Sequence, residues 1–391
     1  MKTISYKHLI ICIITASCFA CNKQEYSVDL PVYQATFTNQ IKLSDYFSSL
    51  NYVFLEDHQD GQFIDADKII YHQQNWYIFD KELMAILSFN QDGEFRFRIQ
   101  TVGKGPGEYQ LLSSIFLVPE KNELWAHCRM TSKHLVYSLE GTFLREEKCY
   151  RSAYDMEYLG KDKILMFNID PYIRSNESMP AGLFFSASEI SKSDQVLETV
   201  SSSMYHTNEA RRNFSLFQDT VFFLSQSDSL VAINSKGEFM ISGIFNFGDL
   251  HPSALLKSIP FSPSNAEKLV NSGKVFWKDQ PVCTSRLFFF QFGLNQSVWY
   301  GIIDRNRHSL LCTQGFVNDL NYLPYIFPSA SKSETELVGL LTADLIYAYQ
   351  ESLSMISEDQ KHNEKYKLLN EFIDQALQGS GHVLVITKTK S

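Results

Sequence analysis

Short apolar runs separated by turn residues recur in groups along most of this chain. The first group runs Ile64 to His72, Trp76 to Asp80, Ala85 to Asn90 and Glu94 to Thr101, with Asp92-Gly93 as the tight turn before its last run. In the second, Ser114 to Val118, Glu123 to Cys128, His134 to Ser138 and Thr142 to Cys149 repeat the pattern, and Glu140-Gly141 stands where Asp92-Gly93 stood. A third spans about Tyr154 to Val200. The fourth has Val221 to Ser225, Ser229 to Asn234 and Glu238 to Phe245 around a Lys236-Gly237 turn, and the fifth has Arg286 to Phe292, Ser297 to Asp304 and Ser309 to Phe316. The sixth is split: Tyr325 to Pro328 and Leu337 to Thr342 precede a helical stretch, and His382 to Lys388 follows it. Hairpin-rich units recurring about every 40 to 65 residues predict an all-β, six-bladed β-propeller over residues 50–391. A ring left open would expose a bare strand edge, so Tyr52 to Leu55 is expected to pair with His382 to Lys388 and close it.

Two stretches break the strand pattern. Ser264-Asn265-Ala266-Glu267 reads as a capping box opening a short helix that stops at Gly273. Residues Ser357 to Gln378 carry Leu368, Leu369, Phe372, Ile373 and Leu377 on one stripe, which predicts an amphipathic helix lying on the propeller, as a packing flap or as a lid.

The first twenty residues read as an export signal, with Lys2 and Lys7 as the basic region, Leu9 to Phe19 apolar and Ala20 at the cut. That apolar stretch is too short for a spanning helix, which needs about 20 residues. Cys18-Phe19-Ala20-Cys21 is similar to a bacterial lipobox, which makes Cys21 the lipidation site and residues 21–49 a polar tether with one helical turn near Leu43 to Leu50. Simple secretion with an unmodified Cys21 is the alternative, since Cys18 stands where a lipobox usually has Leu. Any membrane association is expected through this anchor alone.

The full chain carries a net charge of -9 and has no Lys/Arg-rich run, which argues against a nucleic-acid partner. Cysteines are sparse after the leader, with no CxxC pair and no histidine at ligand spacing. Buried thiols are expected for Cys128, Cys149, Cys283 and Cys312, with no metal and no cofactor. The 30 Phe and 20 Tyr suit blades that stack face to face, and the same side chains would serve a sugar-stacking surface.

The most specific motif is Gly103-Lys104-Gly105-Pro106-Gly107-Glu108-Tyr109, between the first two groups. It lacks the Ser/Thr and following helix of a phosphate loop. Its three glycines allow close backbone approach while Pro106 stiffens the turn. At these residues, together with Leu43-Ser44-Asp45 leading into Tyr52-Val53-Phe54-Leu55-Glu56 and the ending Val383 to Lys388, the chain resembles the six-bladed β-propeller lipoproteins of Bacteroides-type bacteria, themselves similar to NHL-repeat propellers. The resemblance implies the propeller fold and places the protein at the cell envelope, as an outer-membrane lipoprotein facing periplasm or surface.

Function is carried by side chains rather than by the propeller itself. Lys104, Glu108 and Tyr109 are candidate ligand contacts if the loop faces the channel. The competing expectation is that Glu108 and Tyr109 hold the loop to the neighbouring blade. Arg211 and Arg212 are placed near the channel mouth, where they would suit an anionic group. No catalytic motif is present, and His127, His134 and His206 stand apart. The pattern favours a binding or interaction scaffold for a glycan, a peptide or an envelope protein over the alternative of a propeller lyase or hydrolase with acid and base converging at the channel mouth.

Overall fold

The computed structural model describes residues 30–149, 153–169, 183–189, 192–202, 213–224, 229–251, 267–268, 270–355 and 362–390. The chain enters through β1 (Val32–Lys42) and β2 (Phe47–Phe54). Blade 1 is β3 (Lys68–His72), β4 (Asn75–Asp80), β5 (Ala85–Asn90) and β6 (Phe95–Ile99). Blade 2 is β7 (Leu112–Val118), β8 (Glu123–Cys128), β9 (Lys133–Ser138) and β10 (Phe143–Lys148), and blade 3 is β11 (Asp155–Gly160), β12 (Lys163–Ile169), β13 (Leu183–Glu189) and β14 (Lys192–Ser202). Blade 4 holds β15 (Ser215–Phe217), β16 (Thr220–Leu224), β17 (Ser229–Asn234) and β18 (Phe239–Asn246). Blade 5 holds β19 (Phe276–Cys283), β20 (Leu287–Leu294), β21 (Ser297–Asp304) and β22 (Ser309–Val317). Blade 6 is made of β23 (Ala330–Ser331), β24 (Glu336–Leu341) and β25 (Val383–Thr389), completed on its outer side by β2.

Neighbouring blades meet all the way round on their inner side, from β3 to β7 to β11, from β11 to β16, from β15 and β16 to β19, and from β19 to β23 and back to β3. The closure is the one expected from the sequence. β2 runs antiparallel to β25 with Tyr52 opposite Val385 and Val53 opposite Leu384, so the two ends of the propeller share one blade.

Each blade is apolar on both faces because it is sandwiched between two others. Strand β20 shows the consequence: Phe288, Phe290 and Phe292 point into the core shared with blade 4, whereas Leu287 and Phe289 point into the core shared with blade 6. A period of two thus feeds two cores at once. Six buried apolar clusters result, one for each junction between adjacent blades.

The turns before the outer strands of blades 1, 2 and 4 repeat one device. Asn90, Ser138 and Asn234 each accept backbone amide hydrogens from two and four residues on. Gly93, Gly141 and Gly237 follow three residues later with φ of 93°, 84° and 88°. A side chain is disfavoured at that φ. At Gly141 it would also strike the ring of Phe97 on the preceding blade's outer strand, 2.6 Å away.

Four expectations need correction. Residues 32–49 are not a free tether: β1 lies between the outer strands of blades 4 and 5, parallel to both, and joins them into one nine-stranded sheet. Its polar sequence, exposed at most positions, hid it, because what it satisfies is the unpaired backbone of two blade edges. Only Tyr33 and Ile41 are buried, Tyr33 packing with Phe245 and Cys312. Next, Tyr325 to Pro328 is not a strand; the inner strand of blade 6 is the two-residue β23, and blade 5 gains the unanticipated inner strand β19. Third, the long insertion is two helices, α1 (Ala343–Ser354) and α2 (Glu364–Gln378), the latter capped by the Asn363 side chain on the Lys365 amide. Fourth, on α2 the buried stripe is Phe372, Ile373 and Ala376, while Leu368 is 43% exposed. Of the shorter insertion, Glu267, Lys268 and Val270 are helical, and its Ser264 to Ala266 start lies outside the described residues. No helix among the described residues is long and apolar enough to cross a membrane.

Candidate functional site

The ring's axis is nearly closed. Lys68, the first residue of β3, reaches across blade 2 to β11, where its Nζ lies 2.9 Å from Glu157 Oε2, 3.7 Å from Asp155 Oδ1 and 2.9 Å from the Met156 carbonyl. Asp155 is held further by the Ser114 hydroxyl and the Asn213 amide. Burial pushes the Glu157 carboxyl above the usual carboxylate range, and the Lys68 ammonium opposes that rise. The space left along the axis, bounded by Lys68, Tyr71, Glu157, Phe214 and Ser331 among others, is about 140 Å³. That is a small fraction of the 300–1,000 Å³ or so typical of ligand pockets.

The glycine-rich loop crosses from β6 to β7 well away from that axis. Tyr109 is fully buried, and its hydroxyl donates to the Met84 carbonyl at 2.7 Å. Glu108 accepts from the Gly105 amide at 2.7 Å, and the Gly107 amide donates to Glu146 on the outer strand β10 of blade 2. A Cβ at Gly103 would lie 2.0 Å from the Glu108 carboxylate and push that side chain aside, and Gly107 is favoured because its φ is +73°. Pro106 and Lys104 are exposed. Glu108 thus braces the loop on itself, Tyr109 ties it to blade 1, and Lys104 stands in solvent. Arg211, Arg212 and Cys21 lie outside the described residues.

A much roomier opening than the axial one lies on the rim. A cavity of about 710 Å³ lies between the outer strands of blade 5, the loop that leads to blade 6, and the two helices. Seven aromatic side chains line it: Tyr300, Phe316, Tyr322, Tyr325, Phe327, Tyr349 and Tyr366. Gln314, Asn318, Asn363 and Lys365 supply polar groups, with the Lys365 ammonium 3.6 Å from the centre of the Tyr322 ring. The loop is braced from behind. Asn318 donates to Asn321 and to the Leu323 carbonyl, the Tyr52 hydroxyl donates to the Pro324 carbonyl, and Asp319 accepts from the Ser44 hydroxyl at 2.6 Å and the Ser44 amide at 3.0 Å. These bonds fix the wall before any ligand arrives, which lowers the ordering cost of binding. The Tyr325 hydroxyl, by contrast, is buried and has no hydrogen-bond partner among the described residues, and desolvation pushes its pKa well up. Sequence reasoning missed this cavity because Tyr325 to Phe327 were taken up in an expected strand and α1 was not anticipated.

Two histidines that stand apart in sequence also meet. His127 on β8 and His134 on β9 are direct cross-strand partners with ring centroids 5.0 Å apart, and Cys149 completes a cluster whose ligand atoms lie within 4.8 Å of one another. All three are buried in the junction between blades 2 and 3, beside Phe116, Trp125 and Met156. None of Cys128, Cys149, Cys283 and Cys312 is in a disulfide.

Fold and rim cavity together define a β-propeller with an aromatic-lined cavity, walled by an insertion, that is larger than the space left in its channel. The chain belongs to the family described as "Domain of unknown function (DUF4934)", whose model matches residues 27–388. It is similar in structure to a Bacteroides fragilis chain named "Putative exported protein (BF0058)", with 17% identity and a TM-score of 0.68 over 92% of this chain and 99% of that one. A DUF4221 family member from Bacteroides vulgatus aligns at 9% identity and a TM-score of 0.44, covering 88% and 97%. The Cps50 (Swd1) β-propeller domain of Myceliophteria thermophila aligns at 8% and 0.42, covering 74% and 95%. No curated protein matches the chain.

Proposed function

We propose that this protein is an exported, lipid-anchored propeller of the cell envelope that binds a carbohydrate in the rim cavity beneath α1 and α2. The observation that carries the reading is the cavity's lining: seven aromatic side chains with amide groups and an unpartnered buried tyrosine hydroxyl among them. A sugar presents apolar C–H faces and a ring of hydroxyls, so it matches flat aromatic walls interrupted by a few donors and acceptors. The resemblance to envelope lipoproteins and the leader cut just before Cys21 support the location. A peptide or a partner protein is the alternative occupant. A channel-mouth lyase or hydrolase gains no support from the axis, where Asp155 and Glu157 are engaged by Lys68.

Oligosaccharide panels followed by calorimetry on the mature protein test the ligand class. Tyr349→Ala and Tyr366→Ala are each expected to weaken binding about tenfold, equivalent to roughly 1.4 kcal/mol. Absence of any oligosaccharide ligand, or affinity untouched by both substitutions, rejects the carbohydrate reading. Metabolic labelling with a fatty acid tests the anchor separately, with label expected on the native protein and lost in Cys21→Ser.

A further inference from the structure

The junction between blades 2 and 3 contains a buried donor set that the rim site does not use. His127 and His134 are both fully buried, and neither faces water. Nδ1 of His127 and both ring nitrogens of His134 have no hydrogen-bond partner among the described residues. The bond from the Ala153 amide to His127 Nε2 is long, at 3.3 Å, and is given up when the neutral ring binds a metal through either nitrogen. A neutral imidazole always carries one N–H, and leaving such a donor unsatisfied in an apolar interior costs about 1–3 kcal/mol. The rings are surrounded by apolar side chains, with Trp125 edge-on to His134 at 5.3 Å and Phe116 at 5.8 Å. Two buried imidazoles with unused nitrogens, turned toward a buried thiol, form a metal-ligand set rather than ordinary packing.

We propose that His127, His134 and Cys149 form a three-coordinate site for a soft monovalent transition-metal ion, Cu⁺, which pins the crossing between blades 2 and 3. Charge selects the ion. Two neutral imidazoles and one thiolate carry a net charge of -1, so Cu⁺ leaves the buried cluster neutral. Zn²⁺ leaves it positive in a dry interior, where an uncompensated charge is costly. Zn²⁺ also prefers a fourth ligand, whereas thiolate and imidazole together suit copper. On binding, the Cys149 thiol gives up its proton to solvent as the sulfur–metal bond forms. His127 and His134 coordinate as neutral imidazoles and give up no proton. Metal–nitrogen and metal–sulfur bonds of about 2.0–2.3 Å place the donor atoms roughly 3.5–3.8 Å apart. Binding therefore requires the cluster to tighten by about 1 Å from its 4.8 Å span.

The test uses the mature chain, refolded from urea without oxygen in the presence of chelator-buffered Cu⁺, or of Zn²⁺, and then desalted. One copper per chain is expected, with an X-ray absorption shell of two nitrogens and one sulfur and a melting temperature above that of the metal-free protein. Cys149→Ala and His134→Phe are expected to lose the copper while keeping the β-sheet circular dichroism signal. Cys312→Ala, whose thiol lies in the junction of blades 4 and 5, is expected to retain it. Less than about a tenth of an equivalent in the native chain overturns the site, whether or not the variants fold. So does stoichiometric copper in Cys149→Ala, or a shell without sulfur. Tighter binding of Zn²⁺ than of Cu⁺ overturns the choice of ion.

Discussion

The axis and the rim of this propeller are opposite solutions to the same geometric gap. At the axis, inner strands converge and the residual space is filled by a buried ion pair, Lys68 with Glu157 and Asp155, leaving about 140 Å³. At the rim of blade 5 the strands diverge, and helices with a long loop roof over about 710 Å³ without filling it. A propeller's channel is thus not automatically its binding site. Here charge fills most of the channel, and an insertion walls the larger cavity.

The largest expected effect comes from breaking the axis. Lys68→Ala leaves two carboxylates close together and buried without a cation, and should cost about 3–5 kcal/mol in urea unfolding while leaving rim binding intact. Combining Lys68→Met, Asp155→Asn and Glu157→Gln removes all three charges together and should recover most of that loss. If the triple variant is as unstable as the single one, the ion pair is not what fills the axis.

Next comes the roof. Phe372 anchors α2 on β2, its ring 4.9 Å from Tyr52 and 5.4 Å from Phe54. Phe372→Ala is expected to cost about 3 kcal/mol and to abolish rim binding, with hydrogen exchange rising in both helices before the blades.

A smaller effect of opposite sign is expected at Tyr325. Because its buried hydroxyl has no partner among the described residues, Tyr325→Phe should be neutral or stabilise by up to about 1 kcal/mol, yet weaken ligand binding. Loss of stability on this substitution would mean that the hydroxyl is satisfied within the fold. A pH slope is expected as well. Burial pushes the Tyr52 hydroxyl up to about 12 and raises Tyr300 and Tyr349 as well. The unfolded chain ionises near pH 10 while the folded rim does not, so stability should fall as pH rises from about 10 toward 12. Melting curves over that range should flatten in Tyr52→Phe.

Much of the architecture was legible because it is local. Asn90-Gln91-Asp92-Gly93 and its two counterparts specify their turns by side-chain hydrogen bonds and positive φ within five residues, and strands such as β4 and β8 match their apolar runs almost to the residue. Strand β1 was not legible, since Thr36, Thr38 and Gln40 carry no apolar signal and pair only because the distant edge of β22 runs beside them at the usual strand spacing of about 4.7–4.9 Å. The glycine loop was recognised as a motif, but its direction was open until Glu108 and Tyr109 were seen turned back onto it. His127 and His134 are seven residues apart in number, and nothing in that spacing announces a hairpin register that sets one opposite the other.

From the sequence alone came the strand runs, their turns, the repeat that makes blades and the pairing that closes the ring, because these follow from short-range stereochemistry and from which residues prefer to leave water. Tertiary structure alone decided where the open space lies and which polar groups converge. Those depend on how far apart strands stand once six sheets are packed around an axis, a distance that no single segment encodes.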